Sequence, residues 1–423
     1  MRVMIITQVY PPEYAPAGIM AVELAQELTH ASHQVTVLTG FPSHPTGRLF
    51  PGWRARLFHK ERTESGSTLV RCIHSFAPRF GFLGKLWYYL TFAVTSFVGG
   101  MLQGPFDVLV VQSTPIFGPV TATCLAKARR AKLFYWIHDV HPESAVHAGV
   151  LRQGILLSMM KAIDTWVCRK CDVIGTMTDD MCRLILQRGL PADRVVIQRH
   201  WLDEHRIYPM PKRNAWRERQ GIPPADFIAL HAGTIGYISG ASVLIEAAEL
   251  LKDRQGISFL FVGDGPLKAV LQERVKECGL PNVRFLPFQP EEDLNLMQAV
   301  ADVGLVALKP LSATSSIPSK LYGYISAGRP IIASVDPNGS VAKIVIEGGF
   351  GWIVPPGDSH ALARAILHAA SNPEECQCRG ERAREFFVRE FGRTVVVREF
   401  RRKLETLYRQ GRQAPEGTGI ESA

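Results

Sequence analysis

Near-continuous apolar runs of four to six residues, separated by helical stretches, constrain this chain more than any other feature. They fall at residues 2–7, 34–39, 68–73, 107–111, 132–137, 172–176 and 194–197. Runs without polar alternation need cover on both faces, and interleaved helices supply it, so the pattern predicts a parallel sheet with helices on each side. After Pro209 and Pro211 the series restarts, at 227–231, 257–262, 283–286, 302–307, 330–334 and 351–354. Two such series predict an α/β protein of two Rossmann-like, doubly wound domains facing a cleft, with ligands at the carboxyl ends of the strands. The expected domains are residues 1–205 and 206–391. A charged helix over about 392–410 is expected to pack back on the first domain, and 411–423 to form a loose tail.

With 46% hydrophobic residues in 423, disorder is excluded as the dominant state. The formal charge of +9 is uneven: residues 1–200 hold 21 basic against 13 acidic side chains, the remainder 27 against 26. An anionic partner therefore meets the first half. No zinc finger, helix-turn-helix or aromatic-basic RNA-binding signature occurs there, so nucleic acid is set aside in favour of a phosphorylated ligand or a phospholipid surface. The apolar run at Met1–Thr7 is too short for a signal peptide and reads as a buried strand of a cytoplasmic protein. Eight irregularly spaced cysteines fit that compartment. Cys168-Arg-Lys-Cys171 has no second pair or histidines at ligand spacing, so buried thiols are expected there and no metal site.

Residues 82–102 are apolar nearly all round, with no charge from Leu86 to Leu102. That length touches the low end of a spanning helix, about 17 residues, but the segment lies between two strands of one sheet. Two readings stand: a helix buried in the domain, or one whose Trp87, Tyr88, Tyr89, Phe92 and Phe97 rest in a lipid interface. Arg71, Arg79 and Lys85, with Arg48, Arg54, Arg56, Lys60 and Arg62, favour an anionic membrane surface, each near cation contributing about 1 kcal/mol.

Five loop motifs follow strands. Gln8-Val-Tyr-Pro-Pro-Glu-Tyr-Ala-Pro-Ala-Gly18 precedes a helix expected near Ile19, where Gly18 would present amides to a phosphate. His231-Ala-Gly233-Thr234-Ile-Gly236-Tyr-Ile-Ser-Gly240 opens the second sheet, its glycines allowing either close backbone approach to a ligand or a tight structural turn. Gly263-Asp264-Gly265-Pro266 follows the next strand. In Pro318-Ser319-Lys320-Leu321, Ser319 suits a helix start, so the amides of Lys320 and Leu321 would be free for a diphosphate that the Lys320 ammonium neutralises. His138-Asp139-Val-His-Pro142-Glu143 leaves a strand tip in the first domain, placed for chemistry or for helix capping.

In this order the motifs resemble glycosyltransferase family 4, of GT-B fold, and within it the bacterial branch that builds colanic-acid-type capsules, exopolysaccharides and O-antigens. The resemblance runs from residue 1 to about 410. It implies retaining, metal-independent transfer of a sugar from a nucleotide-diphosphate donor, held mainly by the second domain, to an acceptor held by the first. A lipid-linked saccharide is the expected acceptor, made at the inner leaflet by a peripheral enzyme. No cofactor is implied, and no Asp-x-Asp occurs in the chain. The resemblance assigns catalysis to His138, Asp139 and Lys320, and donor contacts to Gly18, Gly233, Thr234, Gly236, Gly263, Asp264, Gly265, Ser319 and Leu321.

The chain departs from the family pattern at four places. The Arg and Lys that many members carry in the first glycine loop are Thr234 and Ser239 here, and the paired glutamates fall at Ser315 and Gly323. Lys320 is expected to compensate. A catalytically degenerate GT-B scaffold in a polysaccharide assembly complex is the alternative these losses raise, and a sugar-nucleotide epimerase is a third.

Overall fold

The computed structural model describes residues 1–76, 81–114, 117–147, 154–309 and 317–413. It divides into two compact units. The first comprises Met1–Pro142, Gln153–Arg199 and Val397 onward; the second comprises Glu143–Arg152 and His200–Val396.

The first unit is built on β1 (Arg2–Ile6), α1 (Pro16–His30), β2 (Gln34–Gly40), β3 (Phe58–Arg62), β4 (Thr68–Cys72), α2 (Gly81–Met101), β5 (Val108–Gln112), α3 (Gly118–Arg129) and β6 (Lys132–Trp136). After α4 (Glu143–His147), which clusters with the second unit, come α5 (Ile155–Lys170), β7 (Val173–Thr176), α6 (Asp179–Leu186) and β8 (Val195–Ile197). The strand order is β3-β4-β2-β1-β5-β6-β7-β8. All pairs are parallel except β3 with β4. Ile5 of β1 stands between Val37 and Val110. Such residues are buried on both sheet faces, which is why these strands show no polar alternation. β3 was not anticipated: Phe58-His-Lys-Glu-Arg62 is polar because an edge strand has one open flank.

The second unit runs α7 (Ala215–Arg219), β9 (Phe227–Ala232), α8 (Ala241–Leu250), β10 (Ile257–Val262), α9 (Lys268–Glu277), β11 (Val283–Leu286), α10 (Leu294–Ala299) and β12 (Val303–Ala307). It continues with α11 (Lys320–Ser326), β13 (Ile331–Ser334), α12 (Ser340–Gly348), β14 (Gly351–Val354), α13 (Ser359–Ser371), α14 (Pro373–Glu390) and the first residues of α15 (Arg393–Gln413). Its parallel sheet is ordered β11-β10-β9-β12-β13-β14. The order reverses between β9 and β12, so the loops leaving those two strands flank the crevice where doubly wound sheets take ligands.

From Val397 onward α15 belongs to the first unit. Its Phe400 ring lies 4.9 Å from both Phe134 and Trp136 of β6. Along the same helix Arg401 pairs with Glu27, and His33 meets Glu405 at 3.0 Å.

Candidate functional site

In the second unit the loops after β9 and β10 are zipped together by backbone bonds. The amide of Gly233 donates to the Val262 carbonyl (2.8 Å), that of Ile235 to Asp264 (2.9 Å) and that of Leu267 to Ile235 (3.1 Å). A Cβ on Gly263 would stand 2.0 Å from the Gly233 oxygen, and one on Gly265 would stand 2.5 Å from the Ile235 oxygen. Both glycines are thus required by the neighbouring loop. The close approach of the two backbones gives these glycines a structural reason beside the donor contact expected of them. Gly233 differs: at φ +119°, its nearest neighbour on the Cβ side is Lys320 Cε, 3.8 Å away. Thr234 and Asp264 are exposed, and the Asp264 carboxylate accepts from the Gly265 amide. Gly236 has only the Thr234 methyl beside it.

Lys320 begins α11 and reaches back to β9. Its Nζ lies 2.9 Å from Nε2 and 3.3 Å from Nδ1 of His231, a fully buried side chain on β9. One turn further along, Tyr324 accepts a bond from the Ala232 amide (2.7 Å) and donates to the Leu230 carbonyl (2.9 Å), fixing α11 against β9. Gly304 of β12 makes room for that ring; a Cβ there would be 2.3 Å from it. Burial pushes the Lys320 ammonium down to about 7. Burial, together with the Lys320 charge, holds His231 well below the usual imidazole range, so that ring is neutral.

The Leu321 amide is spent on the Pro318 carbonyl (3.1 Å), so it is not the free donor expected. Ser319 has helical φ/ψ and makes no side-chain cap. Ser315 lies outside the described residues. Gly323, where the family's second carboxylate would fall, faces Gln298 instead: a Cβ there would meet the Gln298 amide nitrogen at 3.0 Å. A cavity of about 730 Å³, lined in part by Lys212, Asp302 and Arg329, opens at the opposite, amino ends of β12 and β13.

In the first unit α1 begins at Pro16, so Gly18 is already inside the first turn and the expected start near Ile19 is one turn late. A Cβ on Gly18 would meet the Val9 carbonyl oxygen at 2.9 Å, because the preceding loop folds onto the helix. Glu13 of that loop is buried, and its Oε1 accepts from the amides of Ser43 and His44, both at 2.7 Å. A carboxylate at this position therefore ties the loop after β1 to the loop after β2. His138 and Asp139 leave β6 together. The Ser113 hydroxyl accepts from the His138 amide (3.1 Å), and the His138 ring lies 4.4 Å from Trp136. Burial raises the Asp139 carboxyl above its ordinary value, against an opposing pull from His141. Cys168 and Cys171 are buried thiols, both pushed up by burial. Among the described residues no group of three His, Cys, Asp or Glu side chains could hold a metal ion.

α2 is buried along one stripe and exposed along the other. Phe92 is 0% exposed, and Tyr88 packs its ring 4.7 Å from His74. Burial pushes the Tyr88 hydroxyl up to about 12. Tyr89 and Phe97 are half-buried, whereas Trp87 is 58% and Val94 57% exposed. Phe92 is therefore a core residue, Tyr88 leans inward on His74, and the open apolar stripe is Leu86, Trp87, Leu90, Val94 and Val98. Arg71 is also internal, its guanidinium 4.6 Å from the Trp53 ring centre and 3.0 Å from Glu61, so it faces no membrane. Arg79 lies outside the described residues. Arg48, Arg54, Arg56, Lys60 and Arg62 are exposed. No described helix is long and apolar enough to cross a membrane.

Comparison with known proteins agrees with this geometry. Residues 17–200 match the model for the glycosyl transferase 4-like domain, and residues 212–386 match that for glycosyl transferases group 1. The chain belongs to glycosyltransferase family 4, of GT-B fold. Among its bacterial relatives is the "Putative colanic acid biosynthesis glycosyl transferase WcaI" of Escherichia coli K12, 25% identical over 411 residues, 95% of this chain and 98% of that one. Solved structures with the same fold include sucrose-phosphate synthase from Thermosynechococcus elongatus (TM-score 0.74, 16% identity, 97% of this chain and 99% of that one). HepE of Anabaena in complex with UDP-glucose is another (TM-score 0.70, 14% identity, 96% and 100%).

Lys320 has a role from the sequence, but its partner His231 and the bolt Tyr324 do not. Their only signal was a histidine ending a strand directly before the glycine loop.

Proposed function

We propose that this glycosyltransferase moves a sugar, with retention and without a metal or cofactor, from a nucleotide-diphosphate donor to a lipid-linked saccharide in cell-surface polysaccharide synthesis. The observation that carries the reading is Lys320: a partly buried amine at the switch point of a doubly wound sheet, beside the open face of Gly233, with no carboxylate bonded to it among the described residues. The name of the WcaI relative and the UDP-glucose complex of HepE support the polysaccharide role and the donor class.

In the proposed step the bond from the anomeric carbon to the diphosphate oxygen breaks as the acceptor oxygen bonds to that carbon from the same face. The acceptor proton passes to the departing phosphate oxygen. Lys320 stabilises the charge growing on the diphosphate, and preorganised charge of this kind is often the largest catalytic contribution. Asp139 orients an acceptor hydroxyl, and His138 meets the sugar. Calorimetric titration with UDP-, GDP- and ADP-sugars tests the reading. One of them is expected to bind and to be slowly hydrolysed without acceptor. Absence of both binding and hydrolysis for all three would leave the scaffold alternative standing.

The membrane part of the proposal rests on the α2 stripe. Exposed Trp87, Leu90 and Val94 lie on one helix face, in a unit with a surplus of exposed cations. The protein is expected to float with vesicles containing anionic lipid, and Trp87→Asp with Leu90→Asp to keep it at the bottom of the gradient while melting as wild type does. Phe92→Asp is unsuitable, since it would bury a charge in the core. Wild type that never floats would end this part of the proposal.

A further inference from the structure

Lys320 is held by a neutral ring where an ammonium turned inward ordinarily has a carboxylate. Its Nζ is within 3.3 Å of both His231 nitrogens, and the ring is completely buried on β9. Four ionisable groups on the elements around it are engaged elsewhere. Asp264 turns to the Gly265 amide, Lys268 Nζ donates to the Gly263 carbonyl (2.8 Å), the Tyr324 hydroxyl spans Leu230 and Ala232, and Arg384 donates to the Ser326 carbonyl at the far end of α11. β12 and β13, which also contact α11, carry no ionisable side chain.

A carboxylate at position 231 would fix the lysine but cancel its charge. Imidazole fixes it and leaves the charge for a ligand. We propose that His231 is a positioning residue for the donor, accepting a hydrogen bond from the Lys320 ammonium and aiming it past Gly233, so that the diphosphate becomes the counter-ion the fold withholds. This rests on the reading that Lys320 meets the donor diphosphate.

A consequence is proton-linked donor binding. Because burial leaves the lysine near 7 in the free protein, it is half-charged at neutral pH and mostly uncharged above. A diphosphate arriving there requires the charged form, so binding takes up a proton and weakens as pH rises. An acceptor nitrogen favours the charged form; removing it lowers the pH at which the charge is lost, by about one unit for one charge-assisted hydrogen bond.

The experiment is calorimetric binding of UDP-glucose, GDP-mannose and ADP-glucose, whose diesterified diphosphates do not titrate in this range, between pH 5.5 and 8.5. It uses the wild type, Lys320→Ala, His231→Leu and His231→Gln in the full chain. Wild-type affinity is expected to fall above pH 7. His231→Leu should match wild type at pH 5.5 and bind about tenfold more weakly at pH 8.5, and His231→Gln, which keeps an acceptor oxygen, should recover most of that loss. His231→Leu that follows the wild-type profile, or is weaker by one factor at every pH, overturns the positioning role while leaving the donor site intact. A His231→Gln variant that folds but behaves like His231→Leu also overturns it. If the wild type binds none of the three sugars, or Lys320→Ala binds as wild type does, the donor reading itself fails and this inference with it.

Discussion

Lys320→Ala is expected to lower kcat/KM by about a thousandfold, with the secondary structure unchanged by circular dichroism. The magnitude is that of removing one preorganised group facing charge that grows in the transition state, about 10² to 10³. The loss should appear in both the donor KM and kcat, since the ammonium meets charge already present on the ground-state diphosphate and further charge that grows as the bond breaks. Stability should not suffer. With the lysine lowered by burial, the unfolded chain holds more protons than the folded one between about pH 7 and the ordinary lysine value, so this residue makes the fold more stable as pH rises through that window and least stable below it. Alanine removes that dependence, and Lys320→Ala should melt no lower than wild type at pH 6. Turnover within a factor of about three of wild type would contradict the assignment.

The separation of the two effects matters because Tyr324 and Lys320 share one seven-residue helix. Tyr324 is bonded at both its hydroxyl lone pair and its proton to the β9 backbone, so the helix stays docked when Lys320 is shortened. Tyr324→Phe is therefore the complementary change. It strands a buried Leu230 carbonyl and an Ala232 amide, and lowers stability without removing the cation.

What could be read from the sequence follows from how local each signal is. The central strands β1, β5, β6, β12 and β13 declare themselves as apolar runs because nearly the whole of each is buried, and the reversal between β9 and β12 follows once the helices between them are placed. β3 is edge-paired and charged, and has no such run. In α2 the apolar composition concealed which face is core, yet Phe92, Ser96, Gly99 and Gly100 recur at helical spacing as a packed stripe. A Cβ on Gly99 would touch Cys72 Sγ at 2.9 Å and one on Gly100 would touch Leu125 at 2.8 Å. Small residues at one angular position were the missed signal. His231 and Lys320 are 89 residues apart, and nothing local in either segment indicates the other. The glycines of the loops after β9 and β10 were legible as special but not as partners, because a close approach of two backbones leaves the same sequence trace as the approach of a ligand.

That distinction yields a large stability effect. Gly263→Ala is expected to destabilise the second unit by about 4 kcal/mol, combining overpacking against the Gly233 carbonyl with strain at positive φ. For a unit of this size the loss corresponds to a fall of about 10 °C in its melting transition. The cost is large because the contact is backbone to backbone. At 2.0 Å from the Gly233 oxygen, and with φ at +148°, the new methyl has no flexible side chain to displace. The loops must part, which stretches the bonds from the Gly233 amide to Val262 and from the Ile235 amide to Asp264. Since Gly233 is also the neighbour of Lys320, donor affinity should fall with stability. Gly236→Ala supplies the control: it lies in the same loop, its φ is not positive, and its Cβ would make only an ordinary 3.5 Å contact with the Thr234 methyl, so a change within about 0.5 kcal/mol is expected. Equal melting of the two variants would mean that the loops are free to separate and that Gly263 serves something other than their close approach.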